Sequence, residues 1–344
     1  MRTLVTAILS ILLLVSGCAG DRVAPGVEAS PQVAGTATAT DGSFTFAAAG
    51  DLGARTATAR SLALLDGSPA ALFVALGDLS YDDVVPESAW CDYVRAGLPS
   101  RDDTFPFALL AGNHEADGGP DGRLRSFAEC LPDRLASSGT YGAQYAFTYP
   151  ADRPLARFVL VSPGLTVDGH RYDYSAGTPD RAWLAGQMRR AREAGQWLVV
   201  GMHLPCLSTG ADHPGCESGR AVHNLVLRGG ADLLLVGHNH VYERSKQIAL
   251  SRTCPKVRAR FDADCVVDSG RDGAYRRDRG TVQVTAGRFG ARYSRLSDGD
   301  PDRRWFVRRG DRTTGFLEVQ VTPQRLVARY RPSSGTLTDR FVIG

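Results

Sequence analysis

Residues 71–81 read Ala71-Leu72-Phe73-Val74-Ala75-Leu76-Gly77-Asp78-Leu79-Ser80-Tyr81. Six apolar residues run without interruption into a glycine and then a carboxylate. A short run that is apolar at every position, rather than at alternate ones, predicts a strand buried on both faces, as in parallel sheets. Polar residues just past such a strand sit at its carboxyl end, where α/β sheets bind their ligands.

The pattern recurs four times. The apolar run 44–50 ends at Asp51-Leu52-Gly53, and 105–111 ends at Gly112-Asn113-His114-Glu115. The runs 196–201 and 231–236 lead to Met202-His203 and to Gly237-His238-Asn239-His240. Helices are predicted over 56–65, 87–96 and 180–194, the last with Trp183, Leu184, Met188 and Ala191 toward one face, and a further strand over 157–162. Strands alternating with helices predict an α/β domain. Past Gly280 the texture changes. Segments 281–286, 316–321, 325–330 and 338–343 alternate apolar with polar residues and predict antiparallel strands completing a second sheet.

In order and spacing, the five motifs resemble the calcineurin-like metallophosphoesterases, and in detail the purple acid phosphatases, over roughly residues 44–290. The detail is a paired departure. Most of the superfamily has Asp-x-His in the first motif, whereas here the third position is Gly53. Three residues past Asp78 stands Tyr81, where most of the superfamily has no phenol. Exchanging an imidazole for a phenolate favours Fe(III) over Zn(II). A free Tyr has a pKa near ~10, so only a strongly Lewis-acidic ion holds it deprotonated at neutral or acid pH.

The resemblance implies an α/β fold: a four-layer metallophosphoesterase β-sandwich of two mixed sheets flanked by helices. It implies that Asp51, Asp78, Tyr81 and His240 bind Fe(III). Asp78 bridges to a divalent ion (Fe, Zn or Mn) held also by Asn113, His203 and His238. A metal-bound hydroxide then attacks the phosphorus of a phosphate monoester. His114, beside a ligand but not one, contacts phosphate and helps protonate the leaving oxygen, with Glu115 expected to orient it. His213, ten residues past His203, has the offset of a substrate-contacting histidine. Tyr242-Glu243-Arg244 and residues 280–290 are expected to be scaffold around the metal loops. His170 and His223 match no motif and are read as structural. The alternatives are a phosphodiesterase or nucleotidase of the same superfamily, or a non-catalytic metal-binding lipoprotein.

Composition narrows the class. The 344 residues carry 40 basic and 37 acidic side chains, a balance that gives no reason to expect nucleic acid as a partner. Lys246 and Lys256 are the only lysines, so the basic charge is almost all arginine. Arg2 precedes an apolar stretch over 4–15, too short for an ordinary membrane span of roughly 20 residues. It ends in Val15-Ser16-Gly17-Cys18, which resembles a bacterial lipobox. The expected organisation is a lipoprotein signal peptide (1–17), a tether lipid-anchored through Cys18 and rich in Ala, Thr, Gly, Ser and Pro (18–43), and a catalytic domain (44–344). That places the protein outside the cytoplasm on the bacterial cell membrane, with a small phosphorylated substrate and no obligate protein partner evident. Six further cysteines suit disulfides in an exported chain. Fifteen connectivities are open. Short spacings suggest Cys206–Cys216 and Cys254–Cys265, leaving Cys91 with Cys130.

Overall fold

The computed structural model describes residues 41–344. The predicted signal peptide, Cys18 and nearly all of the predicted tether lie outside the described residues. Among those described, no helix is long and apolar enough to cross a membrane.

Two mixed sheets face each other. The first runs, in spatial order, Ala274–Tyr275, Arg340–Ile343, Leu326–Ser334, Thr314–Val321, Phe44–Ala49, Leu72–Ala75 and Phe107–Ala108. Its last three strands are parallel to one another. The second sheet runs Val266–Asp268, Tyr242–Ile248, Thr281–Ala286, Leu233–Val236, Trp197–Met202, Ala156–Val161, Gln144–Tyr149 and Ser138–Thr140, with Phe306–Gly310 paired to Tyr242–Ile248. Its centre is also parallel.

The parallel strands are apolar at every position because each face meets its own layer. On Trp197–Met202, Trp197 and Val199 join the core between the sheets, with Phe46, Phe73, Phe158 and Leu235. Leu198, Val200 and Met202 pack the other way, with Leu184 and Met188 of the Pro179–Glu193 helix and Val222 and Val226 of the Arg220–Gly229 helix. Thr178 caps the former helix by accepting from Arg181 N at 3.3 Å, and Pro179 opens it. Thr56–Asp66 packs on the first sheet. Helix, sheet, sheet and helix make the four expected layers.

Several elements depart from the sequence reading. Thr281–Ala286 does not join the late antiparallel strands. It lies in the other sheet, parallel to Leu233–Val236, and is buried throughout. Its alternate polar residues mimic a half-exposed strand, but they are buried, and Gln283 Nε2 donates to the Leu207 carbonyl at 2.7 Å. The run 105–111 contributes only Phe107–Ala108 as strand, with Leu110 bridging Gly142. The Arg220–Gly229 helix and the Gln144–Tyr149 and Tyr242–Ile248 strands went unpredicted. Arg220–Gly229 is buried without a break from Val222 to Leu227, His223 and Asn224 included.

The three suggested disulfides, Cys91–Cys130, Cys206–Cys216 and Cys254–Cys265, are all present.

Candidate metal centre

The five motifs end on one side of the two sheets, and their side chains converge. Asp51 follows Phe44–Ala49, Asp78 follows Leu72–Ala75, and Asn113 follows Phe107–Ala108. His203 follows Trp197–Met202, and His238 follows Leu233–Val236. Turning each chain end sharply inward takes unusual backbone. Asp51, Asp78, Tyr81 and His238 all adopt left-handed conformations, with φ of 61°, 54°, 53° and 69°. Such residues cluster at functional sites because only the surrounding structure holds them there. Gly77 is required for the same reason: its φ is 91°, and a Cβ would lie 2.6 Å from His203 Nδ1. A Cβ on Gly112 would lie 2.0 Å from Asp78 Oδ1.

Asp78 stands at the middle. Its Oδ1 lies 3.2 Å from His203 Nε2, which is also 3.1 Å from Asn113 Oδ1 and 3.2 Å from His238 Nδ1. Its Oδ2 accepts from the Tyr81 hydroxyl at 3.1 Å. That hydroxyl also lies 2.9 Å from Asp51 Oδ1 and 3.0 Å from His240 Nε2. All seven expected ligands therefore fall into two donor sets that meet at one carboxylate. Ligand atoms of Asp78, His203 and His238 lie within 4.8 Å of one another.

Each imidazole spends its outer nitrogen elsewhere. His203 Nδ1 donates to the Leu76 carbonyl at 2.7 Å, and His240 Nδ1 to that of Arg292 at 2.8 Å. His238 Nε2 donates to Glu217 Oε2 at 2.9 Å. The inner nitrogens are left facing the cluster, the arrangement that fixes the tautomer of a metal-binding histidine.

The electrostatics favour positive charge at the same point. Burial opposes ionisation of both Asp78 and His203. Even so, His203 and His114 hold the Asp78 carboxyl well below its usual range. The charges of Asp78 and Asp51 raise His203 to about 9. Burial, then the Asp51 and Asp78 carboxylates, push the Tyr81 phenol well above 10. A cation between these carboxylates would reverse that last effect. The donor set, hard oxygens on one side and imidazoles with an amide on the other, fits a pair of metal ions.

His114 sits at the rim, about a quarter exposed, with Nε2 3.6 Å from Asp78 Oδ2. The residue holding it is Asp121, whose Oδ2 pairs with Nδ1. Glu115, expected in that role, points the other way. It is buried and accepts from the backbone N–H groups of Asp78, Leu79 and Gly112 at 3.0, 2.7 and 3.0 Å. It ties the Asp78 loop to the Asn113 loop. His213 lies over His238, ring centroids 3.8 Å apart, with Nδ1 3.7 Å from Glu217 Oε1. Burial, then His238, lower its pKa. Sequence reasoning missed Asp121 and Glu217, because no motif marks a carboxylate that reaches the site from a loop.

The expected scaffold residues are buried and paired. Glu243 accepts from Ser208 Oγ at 2.6 Å and Thr209 N at 3.0 Å, holding the loop past His203. Arg244 forms a two-pronged pair with Asp339 at 2.7 and 3.0 Å. His170 pairs with Asp180 at 3.2 Å, and His223 is buried in its helix; neither joins the centre.

A family model described as calcineurin-like phosphoesterase matches residues 44–242. Purple acid phosphatase 21 of Arabidopsis thaliana is 30% identical over 217 residues, covering 61% of this chain and 47% of the relative. The phosphoenolpyruvate phosphatase of Allium cepa is 28% identical over 226 residues, covering 61% of this chain and 43% of the relative. The chain thus spans less than half the length of these curated relatives. Among solved structures, purple acid phosphatase PPD1 from yellow lupin seeds superposes with a TM-score of 0.60 at 18% identity, over 88% of this chain and 54% of that one, a likeness of fold. With more than half its length matched by the family model and the five motifs gathered at one end of the paired sheets, this chain belongs to the calcineurin-like phosphoesterase family.

Proposed function

We propose that the protein is a metal-dependent phosphatase of the purple acid type, acting on phosphate monoesters. The observation that carries this reading is the position of Asp78, whose two oxygens face two different donor sets. In this reading Asp51, Asp78, Tyr81 and His240 hold Fe(III), while Asp78, Asn113, His203 and His238 hold a divalent ion. Together such ions would supply Lewis acidity to the phosphoryl group and to water.

The chain's own residues supply the rest. Glu217 and the Leu76 and Arg292 carbonyls fix the imidazoles, so the donors need no reorganisation. Glu115 holds the two loops that deliver Asp78 and Asn113 in register. His114, steadied by Asp121, presents an N–H at the rim where a leaving oxygen would depart. His213, half-exposed above His238, is suited to contact the ester. The phosphatase names of the relatives at 28–30% identity favour a monoester over a diester.

Purified protein assayed on p-nitrophenyl phosphate and bis(p-nitrophenyl) phosphate, alongside metal analysis, tests this reading. Monoester turnover with two metals per chain, one of them iron, is expected. Faster diester turnover favours the phosphodiesterase or nucleotidase, and bound metal without turnover a binding lipoprotein. We further propose that a lipid on Cys18 anchors the protein outside the cytoplasm on the cell membrane. Cys18→Ser is expected to move it out of the membrane fraction, and unchanged fractionation would overturn the anchor.

A further inference from the structure

Away from the metal centre, a cavity of about 620 Å³ is lined by Arg181, Arg220, Arg228, Lys256 and Arg258. No carboxylate lines it, and none of the five forms an ion pair among the described residues. Arg55, Arg192, Arg309 and Arg331 each meet an acid within 3 Å. In a chain with 40 basic and 37 acidic residues, five cations around one carboxylate-free hollow concentrate positive charge. Asp302 feels the charge of Arg220, but burial and Asp300 push its carboxyl up to about 7, making it a weak counter-charge. Gathered like charges repel, and the arrangement is favourable only when an anion joins them.

The cations are also pre-positioned. Arg220 Nη1 donates to the Arg258 carbonyl at 3.0 Å, Arg181 Nη1 to Tyr174 at 3.3 Å and Arg228 Nη2 to Pro255 at 3.4 Å. Each guanidinium is steadied through one N–H and keeps its other donors. The loop carrying Lys256 and Arg258 is pinned between them. Asn224 accepts from Val257 N at 2.6 Å and donates to Val257 O at 3.0 Å. Val257 is buried while Lys256 and Arg258 are exposed, and the Cys254–Cys265 bridge closes the loop.

We propose that this cavity is a binding site for a small polyanion, a molecule carrying several phosphate or sulfate groups. Planar guanidiniums match such oxyanions two N–H groups at a time. No aromatic residue lines the cavity to stack a base, which disfavours a nucleic acid.

The test uses sucrose octasulfate, which a phosphatase does not cleave, titrated calorimetrically into the metal-loaded protein. The wild type is expected to bind one equivalent, more weakly as salt rises. Lys256→Ala with Arg258→Ala should weaken binding by at least about tenfold, while Arg308→Ala with Arg329→Ala, in a second arginine-lined cavity, should change it by less than about twofold. Unchanged affinity in the first pair, or an equal loss in the second, overturns the proposal. So does a wild type that binds anionic vesicles or duplex DNA but not sucrose octasulfate. Hydrolysis of p-nitrophenyl phosphate should be the same in the first pair as in wild type, so this binding test and the phosphatase assay fail independently.

Discussion

Glu217 Oε2 lies 2.9 Å from His238 Nε2, on the side of the ring away from Asp78 and His203. The carboxylate comes from the residue just past the loop closed by Cys206–Cys216, not from any strand end. It sets which nitrogen of His238 keeps a lone pair for the centre. On the proposed reading, Glu217→Ala is therefore expected to lower affinity for the metal at His238 by roughly 10–100-fold, with activity recovering as that metal is raised. Metal titration of the variant reads this directly. Unaltered affinity would show that Glu217 only braces the loop.

His114 and Asp121 should fail differently from Asn113. His114→Ala is expected to keep both metals and lose roughly 10²–10⁴-fold in rate, with the smaller losses on esters whose leaving groups need little protonation. Asp121→Ala should show the same dependence on leaving group in weaker form, because it acts through the ring it holds. Asn113→Ala should instead, on the proposed reading, release one metal while leaving the other. A His114 variant that loses metal, or slows good and poor leaving groups alike, contradicts its role as acid.

Tyr81 offers a spectroscopic check. If its oxygen binds Fe(III) as phenolate, the iron-loaded protein absorbs in the visible, and Tyr81→Phe abolishes the band and weakens iron retention. A colourless wild type with a full complement of ferric iron rules out that ligand.

His223 predicts an acid limit to stability. Its ring is fully buried, with neither nitrogen hydrogen-bonded among the described residues. Burial, aided by Arg220, lowers it from 6.5 to about 4. The folded chain thus prefers the neutral ring. The contribution is present above the unfolded pKa of 6.5 and is lost as pH falls through about 4. The gap corresponds to roughly 3 kcal/mol. Urea unfolding at pH 7 and 4.5 should show wild type losing about 2–3 kcal/mol more than His223→Leu. Equal losses would refute the assignment.

The convergence of these residues was legible in the sequence because residue type and strand end coincide. Apolar runs such as 71–76 and 231–236 deliver Asp78 and His238, and local chemistry alone marks both. Asp121, Glu217 and the true role of Glu115 were not legible, since each depends on which loops the fold brings together. Nothing near Glu115 says that it will cap three N–H groups rather than face His114. Thr281–Ala286 escaped for a related reason. A strand whose polar side chains are buried inside the protein has the same pattern as one whose polar side chains face water.

The left-handed backbone at Asp51, Asp78 and His238 bears on how such a chain drifts. Each position costs about 1 kcal/mol relative to glycine, which adopts that geometry freely. Backbone strain by itself therefore pulls these sites toward glycine, opposed by the ligand chemistry and by the His238 and His114 N–H groups that Asp51 and Asp78 accept from. On the proposed reading, a descendant freed from turnover should change at these positions earlier than in the core around Phe46, Phe73 and Phe158. The residues found there would then record, in any related chain, whether selection still acts on the reaction.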